Sequence, residues 1–186
     1  MLKTARIMIT TKCNRNCSYC CNNKPGVLDS AIQVNELGFV KDYDAICLTG
    51  GEPMLYPDRL RYVIETIRSV NPKAKIFLYT ALITKRMWEM VDILDGINYT
   101  LHEDFAWKEL MQLHLMQTII SSLPSDTIAN KSFRLLIAPE IKSVIPIVPN
   151  LWQRIESKPW NDVCEILPNE TFFNYEFNDG RMFDKS

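Results

Sequence analysis

The sequence predicts an α/β fold built on a parallel sheet. Short β-branched, apolar runs alternate with stretches of helical periodicity, the pattern of strands joined by helices. Two motifs that carry chemistry each begin where a predicted strand ends, the place where such folds hold their sites. At 186 residues and 47% hydrophobic composition the chain is expected to be one domain, residues 1–186, with a core over about 5–168 and an aromatic C-terminal tail over 169–186.

Residues 5–11, Ala-Arg-Ile-Met-Ile-Thr-Thr, read as the first strand. A cysteine-rich loop follows, and Pro25-Gly26 closes it as a turn. Residues 29–40 read as a helix capped by Asp29 or Ser30. Asp44 to Thr49 is a buried strand, followed by Gly50-Gly51-Glu52-Pro53. Pro57 to Val70 is a helix, because Leu60, Val63, Ile64, Ile67 and Val70 recur at intervals of three and four. Lys75 to Thr80 is a strand, Thr84 to Leu94 a helix, and Gly96 to Leu101 a strand. In that last strand Ile97, Tyr99 and Leu101 alternate with Asn98, Thr100 and His102, which gives the sheet one apolar and one polar face there. Phe105 to Ser122 is an apolar helix, read as buried, with a homodimer or partner surface as the alternative. Ser132 to Ile137 is a strand. Beyond it Leu151 to Ser157 reads as a short helix, Val163 to Leu167 as a sixth strand, and Asp179-Gly180 as a hairpin signal in the aromatic tail. Five or six strands are too few for a closed eight-stranded barrel.

Net charge is −1, so no basic field points to nucleic acid. Met1 to Thr10 has no signal-peptide pattern, and no apolar run reaches the ~18 residues that span a bilayer. Four of the six cysteines crowd between Cys13 and Cys21, which suits metal ligation better than a secreted disulfide framework. The expected setting is therefore a reducing cytoplasm poor in oxygen.

Cys13, Cys17 and Cys20 stand at Cys-x3-Cys-x2-Cys spacing. Thiolates so placed can hold three irons of a [4Fe–4S] cube and leave the fourth open. The bland alternative is a structural zinc site with Cys21 as its fourth ligand. With Tyr19 before its last cysteine, the loop resembles the cluster loop of the radical S-adenosylmethionine (radical SAM) superfamily. Leu48-Thr49-Gly50-Gly51-Glu52-Pro53 resembles that family's Gly-Gly-Glu-Pro segment, in the family's order and at about its distance. The likeness in element order covers Ile7 to Ile137, and two motifs are specific.

The resemblance implies a partial (β/α)6, TIM-like barrel, the radical SAM core. It implies a [4Fe–4S] cluster on Cys13, Cys17 and Cys20, with S-adenosylmethionine (SAM) chelating the open iron. Tyr19 is then near the adenine. Gly50 and Gly51 approach the methionine amine, with Glu52 and Pro53 shaping the turn. Thr80 matches the start of a Thr-Asn-Gly segment, although Ala81-Leu82 replaces Asn-Gly here. Thr100 corresponds to a hydroxyl residue near the ribose, and His102 stands where many members have an acid. Arg134, inside a strand, is a candidate for the SAM carboxylate or for an internal ion pair with Glu103. Cys21, Cys47 and Cys164 read as small buried residues.

The implied activity is reductive cleavage of SAM to a 5′-deoxyadenosyl radical that takes hydrogen from a small-molecule or nucleotide-like substrate. The alternatives are an activase of glycyl radical enzymes, a nucleobase-modifying enzyme, or an iron–sulfur or zinc binding module without turnover. The implied partner is a one-electron donor, flavodoxin or ferredoxin.

Overall fold

The computed structural model describes residues 2–17, 20–102, 107–142, 145–157 and 166–177. In chain order its strands and helices are β1 (Thr4–Met8), β2 (Ile32–Val34), β3 (Ala45–Thr49), α1 (Pro57–Val70), β4 (Lys75–Thr80), α2 (Met87–Ile93), β5 (Gly96–Leu101), α3 (Trp107–Ser122), α4 (Ser125–Asn130), β6 (Ser132–Ile137), β7 (Arg154–Ser157) and β8 (Glu170–Tyr175). The strands form an eight-stranded sheet in the order β2-β8-β1-β3-β4-β5-β6-β7, and its end strands β2 and β7 leave it open. The pairings β1–β3, β1–β8, β2–β8, β5–β6 and β6–β7 are all parallel. This is the expected α/β class with an open, barrel-like parallel core.

The chain divides into two compact units, Met1–Phe77 with Cys164–Ser186, and Leu78–Val163. In the first, Ile7, Ile46 and Leu48 are fully buried, as are Leu60, Val63, Ile64 and Ile67 of α1. Each such side chain contributes about 1.5–3 kcal/mol when removed from water. Phe173 of β8 stacks on Phe39 at 4.1 Å and meets Tyr43 edge-on at 5.7 Å. Met8, Ala31 and Phe172 form a second apolar cluster with Val27, Leu28 and Ile166. In the second unit Ile97, Tyr99, Leu101, Phe133, Leu135 and Ile137 are buried together with Leu113, Met116, Ile119 and Ile120 of α3.

Five expectations change. Residues 29–40 form no helix. Ile32 and Val34 are in β2 beside Phe173 and Tyr175, and Gly38–Asp42 is a 3-10 turn. Two β-branched residues next to an open strand edge outweigh a weak helical period. Leu151 to Ser157 is not a helix either: a 3-10 turn at Pro149–Leu151 leads into β7, which pairs with β6. Part of the aromatic tail is β8, an interior strand held on both sides. Arg6 fixes its start, donating from Nε to Glu170 Oε1 at 3.0 Å and from Nη2 to Oε2 at 2.7 Å. Ile166 and Leu167 lie outside any strand, and residues 163–165, Phe105 and Asp179-Gly180 lie outside the described residues. The apolar helix α3 is not buried on most sides: Trp107 and Met111 are exposed, while Glu109, Gln112 and Gln117 are buried. Gln112 Oε1 accepts from the Ile83 N–H at 2.7 Å, and Gln117 Oε1 from that of Val148 at 2.7 Å, which is why those amides turn inward. Among the described residues no helix is long and apolar enough to cross a membrane.

Candidate functional site

In the first unit the loop after β1 and the turn after β3 are one hydrogen-bonded structure. The Ile9 N–H donates to the Thr49 carbonyl at 3.0 Å, which extends the β1–β3 ladder past the strand ends. The Gly51 N–H then donates to Thr10 O at 2.7 Å, and that of Glu52 to Lys12 O at 2.7 Å. From the far side of the loop, Asn22 Nδ2 donates to Gly50 O at 3.4 Å. The cysteine segment is therefore gripped at both ends by the glycine turn.

That grip explains the glycines. A Cβ on Gly51 would stand 2.0 Å from Lys12 O, and one on Gly50 2.3 Å from Thr10 O. Gly50 also has φ +151°, which side chains rarely adopt. The atoms that demand glycine here are the protein's own backbone entering the cysteine loop. Glu52, only 2% exposed, caps the following 3-10 turn by accepting the Met54 N–H at 3.0 Å. Buried Pro53 opens that turn.

Cys13, Cys17 and Cys20 are free thiols, exposed or half-buried. The Cys20 N–H donates to Cys17 O at 3.1 Å, which curls the chain between them. Burial pushes the Cys13 thiol up; the Arg15 N–H, 3.4 Å from its Sγ, pulls it down, and the charges of Glu52 and Cys20 add to the rise. Cys13, Cys20 and Glu52 thus share one electrostatic neighbourhood. Cys21 is half-buried and disulfide-bonded, not the small buried thiol expected, and so offers no fourth thiolate. Cys47 is buried, as expected, and Cys164 lies outside the described residues. Among the described residues no three acidic, histidine or cysteine groups converge as a single-ion site. A cubane takes one thiolate per iron, so three free thiols on one short loop fit it without converging on a point. Tyr19 lies outside the described residues.

The other candidates belong to the second unit. Thr80 is buried, and its hydroxyl accepts the Leu82 N–H at 3.0 Å and donates to Leu82 O at 3.1 Å, closing a local turn. Thr100 and His102 are half-buried at the end of β5, on the polar side of its alternation. Arg134 does not lie inside a buried strand face. Its side of β6 is open, and the guanidinium is exposed. Glu103, its suggested partner, lies outside the described residues. Sequence reasoning missed Thr10 and Asn22, whose only signal was adjacency to the cysteine loop.

A family model described as the radical SAM superfamily matches residues 7–102, just over half of the chain. No curated protein matches it. Among solved structures, BtrN in complex with AdoMet and 2-DOIA is similar at 18% identity and a TM-score of 0.49, over 73% of this chain and 56% of that one. Selenomethionyl BtrN in an open conformation is similar at 21% identity and a TM-score of 0.43, over 56% of this chain and 52% of that one. The chain thus spans little more than half the length of BtrN.

Proposed function

We propose, from the premise that the chain belongs to the radical SAM superfamily, that it binds a [4Fe–4S] cluster through Cys13, Cys17 and Cys20 and cleaves SAM reductively to act on a small molecule. The observation that carries this reading is the hydrogen-bonded lock between the three-thiol loop and the Gly50-Gly51-Glu52 turn. When bound, the cluster supplies the electron that splits SAM into methionine and a hydrogen-abstracting 5′-deoxyadenosyl radical.

The chain's own residues prepare that chemistry. Thr10 and Lys12 carbonyls fix the glycine turn against the loop, so cysteines and turn keep one geometry. The Arg15 N–H donates to Cys13 Sγ, the kind of contact that stabilises a thiolate and tunes a cluster sulfur. Removal of Cys21 from the donor set leaves three thiolates, the number that keeps one iron open for a substrate amine and carboxylate. Tyr19 is assigned to the adenine and Thr100 to the ribose, with His102 a cofactor-binding candidate of open role. The electron comes from an external one-electron donor such as flavodoxin or ferredoxin.

Reconstitution with iron and sulfide without oxygen, followed by dithionite and SAM, tests this. Wild type should release 5′-deoxyadenosine, followed by mass spectrometry, and the Cys13, Cys17 and Cys20 alanine variants should not. A colourless protein that holds zinc refutes the reading, as does equal SAM binding by wild type and Cys17→Ala.

A further inference from the structure

A row of polar side chains crosses the second unit at one level of its sheet. Strand register sets Asn98 of β5 beside Arg134 of β6, and Arg134 beside Arg154 of β7. Residues in register on parallel strands point to the same face. The opposite face is apolar, with Ile97, Tyr99, Leu101, Phe133, Leu135 and Ile137 all buried. The row is at the third residue of both β5 and β6, three residues before Leu101 and Ile137 end them. At ~3.3 Å per residue it is therefore ~10 Å inward of the strand ends.

Three features make this row unusual. Asn98 is 5% exposed, yet its amide has no hydrogen bond among the described residues. Its amide donor and acceptor are thus not engaged by the described protein groups on this face. Arg134 is exposed and has no ion pair or hydrogen bond among the described residues. Arg154, the in-register neighbour of Arg134, is paired with Glu156. Like charges side by side on neighbouring strands repel, and a bound anion removes the penalty.

We infer that the Asn98–Arg134–Arg154 row binds an anionic group, a carboxylate or a phosphate, carried by the substrate. The inference deepens the function proposed above and rests on it for the substrate's presence. Arg134 supplies a free planar fork that matches either oxyanion bidentately. Arg154 adds charge from the next strand, and Asn98 offers a donor and an acceptor to a polar substituent beside the anion. SAM has a carboxylate of its own, but on the proposed reading that group is committed to the open iron. The row is thus left for a second anion, which narrows the substrate to a phosphorylated or carboxylated small molecule.

The test titrates inorganic phosphate and, separately, succinate into the anaerobically reconstituted full chain by calorimetry. One of the two should saturate a single site on wild type, and its identity names the group. Arg134→Gln and Arg154→Gln should each weaken that binding at least tenfold, and Arg134→Lys, which keeps the charge but loses the fork, by less. Asn98→Asp, nearly isosteric and negative, should also lose it tenfold; circular dichroism checks that each variant is folded. SAM affinity of Arg134→Gln should stay within twofold of wild type. The inference is overturned if wild type binds neither anion, or if Arg134→Gln binds as wild type does. A tenfold loss of SAM affinity in Arg134→Gln also overturns it, since the arginine would then serve the SAM carboxylate. None of these readouts needs SAM cleavage, so the 5′-deoxyadenosine assay fails or succeeds independently.

Discussion

Replacing Gly51 by alanine tests whether the glycine turn serves the protein's own backbone or a ligand. The added Cβ would meet Lys12 O at 2.0 Å, Lys12 C at 2.5 Å and Thr11 O at 2.7 Å. None of these is the end of a flexible side chain, so the two segments must part. Overpacking of this kind costs about 1–3 kcal/mol. Parting also breaks the Gly51–Thr10 and Glu52–Lys12 hydrogen bonds, both 2.7 Å long, at about 0.5–1.5 kcal/mol each. The total is roughly 2–6 kcal/mol, or roughly 5–20 °C in Tm for a chain of this size. Gly38 is the control, because a Cβ there meets nothing within 4 Å and its φ is ordinary. Thermal and urea unfolding by circular dichroism on the metal-free protein should show Gly51→Ala far below Gly38→Ala. Bound iron per chain after reconstitution should fall with it. Equal stability of the two variants, with SAM affinity lost only in Gly51→Ala, would refute the reasoning and return the glycine to the cofactor.

Cys21→Ser should retain iron at the wild-type level and Cys20→Ser should lose it, since Cys21 is disulfide-bonded; the reverse result, read by iron and sulfide analysis, would shift the ligand register. Thr80→Val removes a hydroxyl that makes both of its Leu82 hydrogen bonds, so stability should drop by about 1–2 kcal/mol. SAM affinity should stay within twofold; a tenfold loss at wild-type stability would give Thr80 a direct part in binding. Glu170→Ala removes two charge-assisted hydrogen bonds from the part-buried Arg6 guanidinium and should cost about 2 kcal/mol. Hydrogen exchange should then speed up in β8 before β3, and uniform exchange would show that the pair does not hold that strand.

The legible parts of the fold were those with local signals. Helix α1 and strands β4, β5 and β6 run between the residues their patterns indicate, because apolar periodicity and flanking turn residues set them without help from distant chain. Strands β2, β7 and β8 were not legible. β2 and β7 are short or polar, β8 reads as an aromatic tail, and each becomes a strand by pairing with distant chain, as Ile32 does with Phe173. The cysteine loop and the glycine turn were readable as motifs, but the reason for the glycines was not. Only in the folded chain do the Lys12 and Thr10 carbonyls fill the space a side chain would take. Asn22 gave no signal beyond its adjacency to the cysteine loop, since an asparagine reaching a carbonyl 28 positions away looks like any surface residue. Arg134 looked buried because Phe133 and Leu135 flank it. Alternation along a strand puts it on the other face.

The position of β8 has a consequence for how the chain is made. Thr4 pairs with Glu170, 166 residues further on (170 − 4), so β1 is completed on one side only by late-made chain. At roughly 5–20 residues per second, β1 and the thiols beyond it leave the ribosome roughly 8–30 s before their second neighbour strand. During that interval one edge of β1 is bare and open to a stray strand. Such long-range closure is also slow. Iron delivery therefore meets two different clients, a nascent chain with an open edge and a finished sheet. Which of them accepts the metal determines whether the cluster loop helps to gather this end of the protein or is loaded only once β8 has closed it.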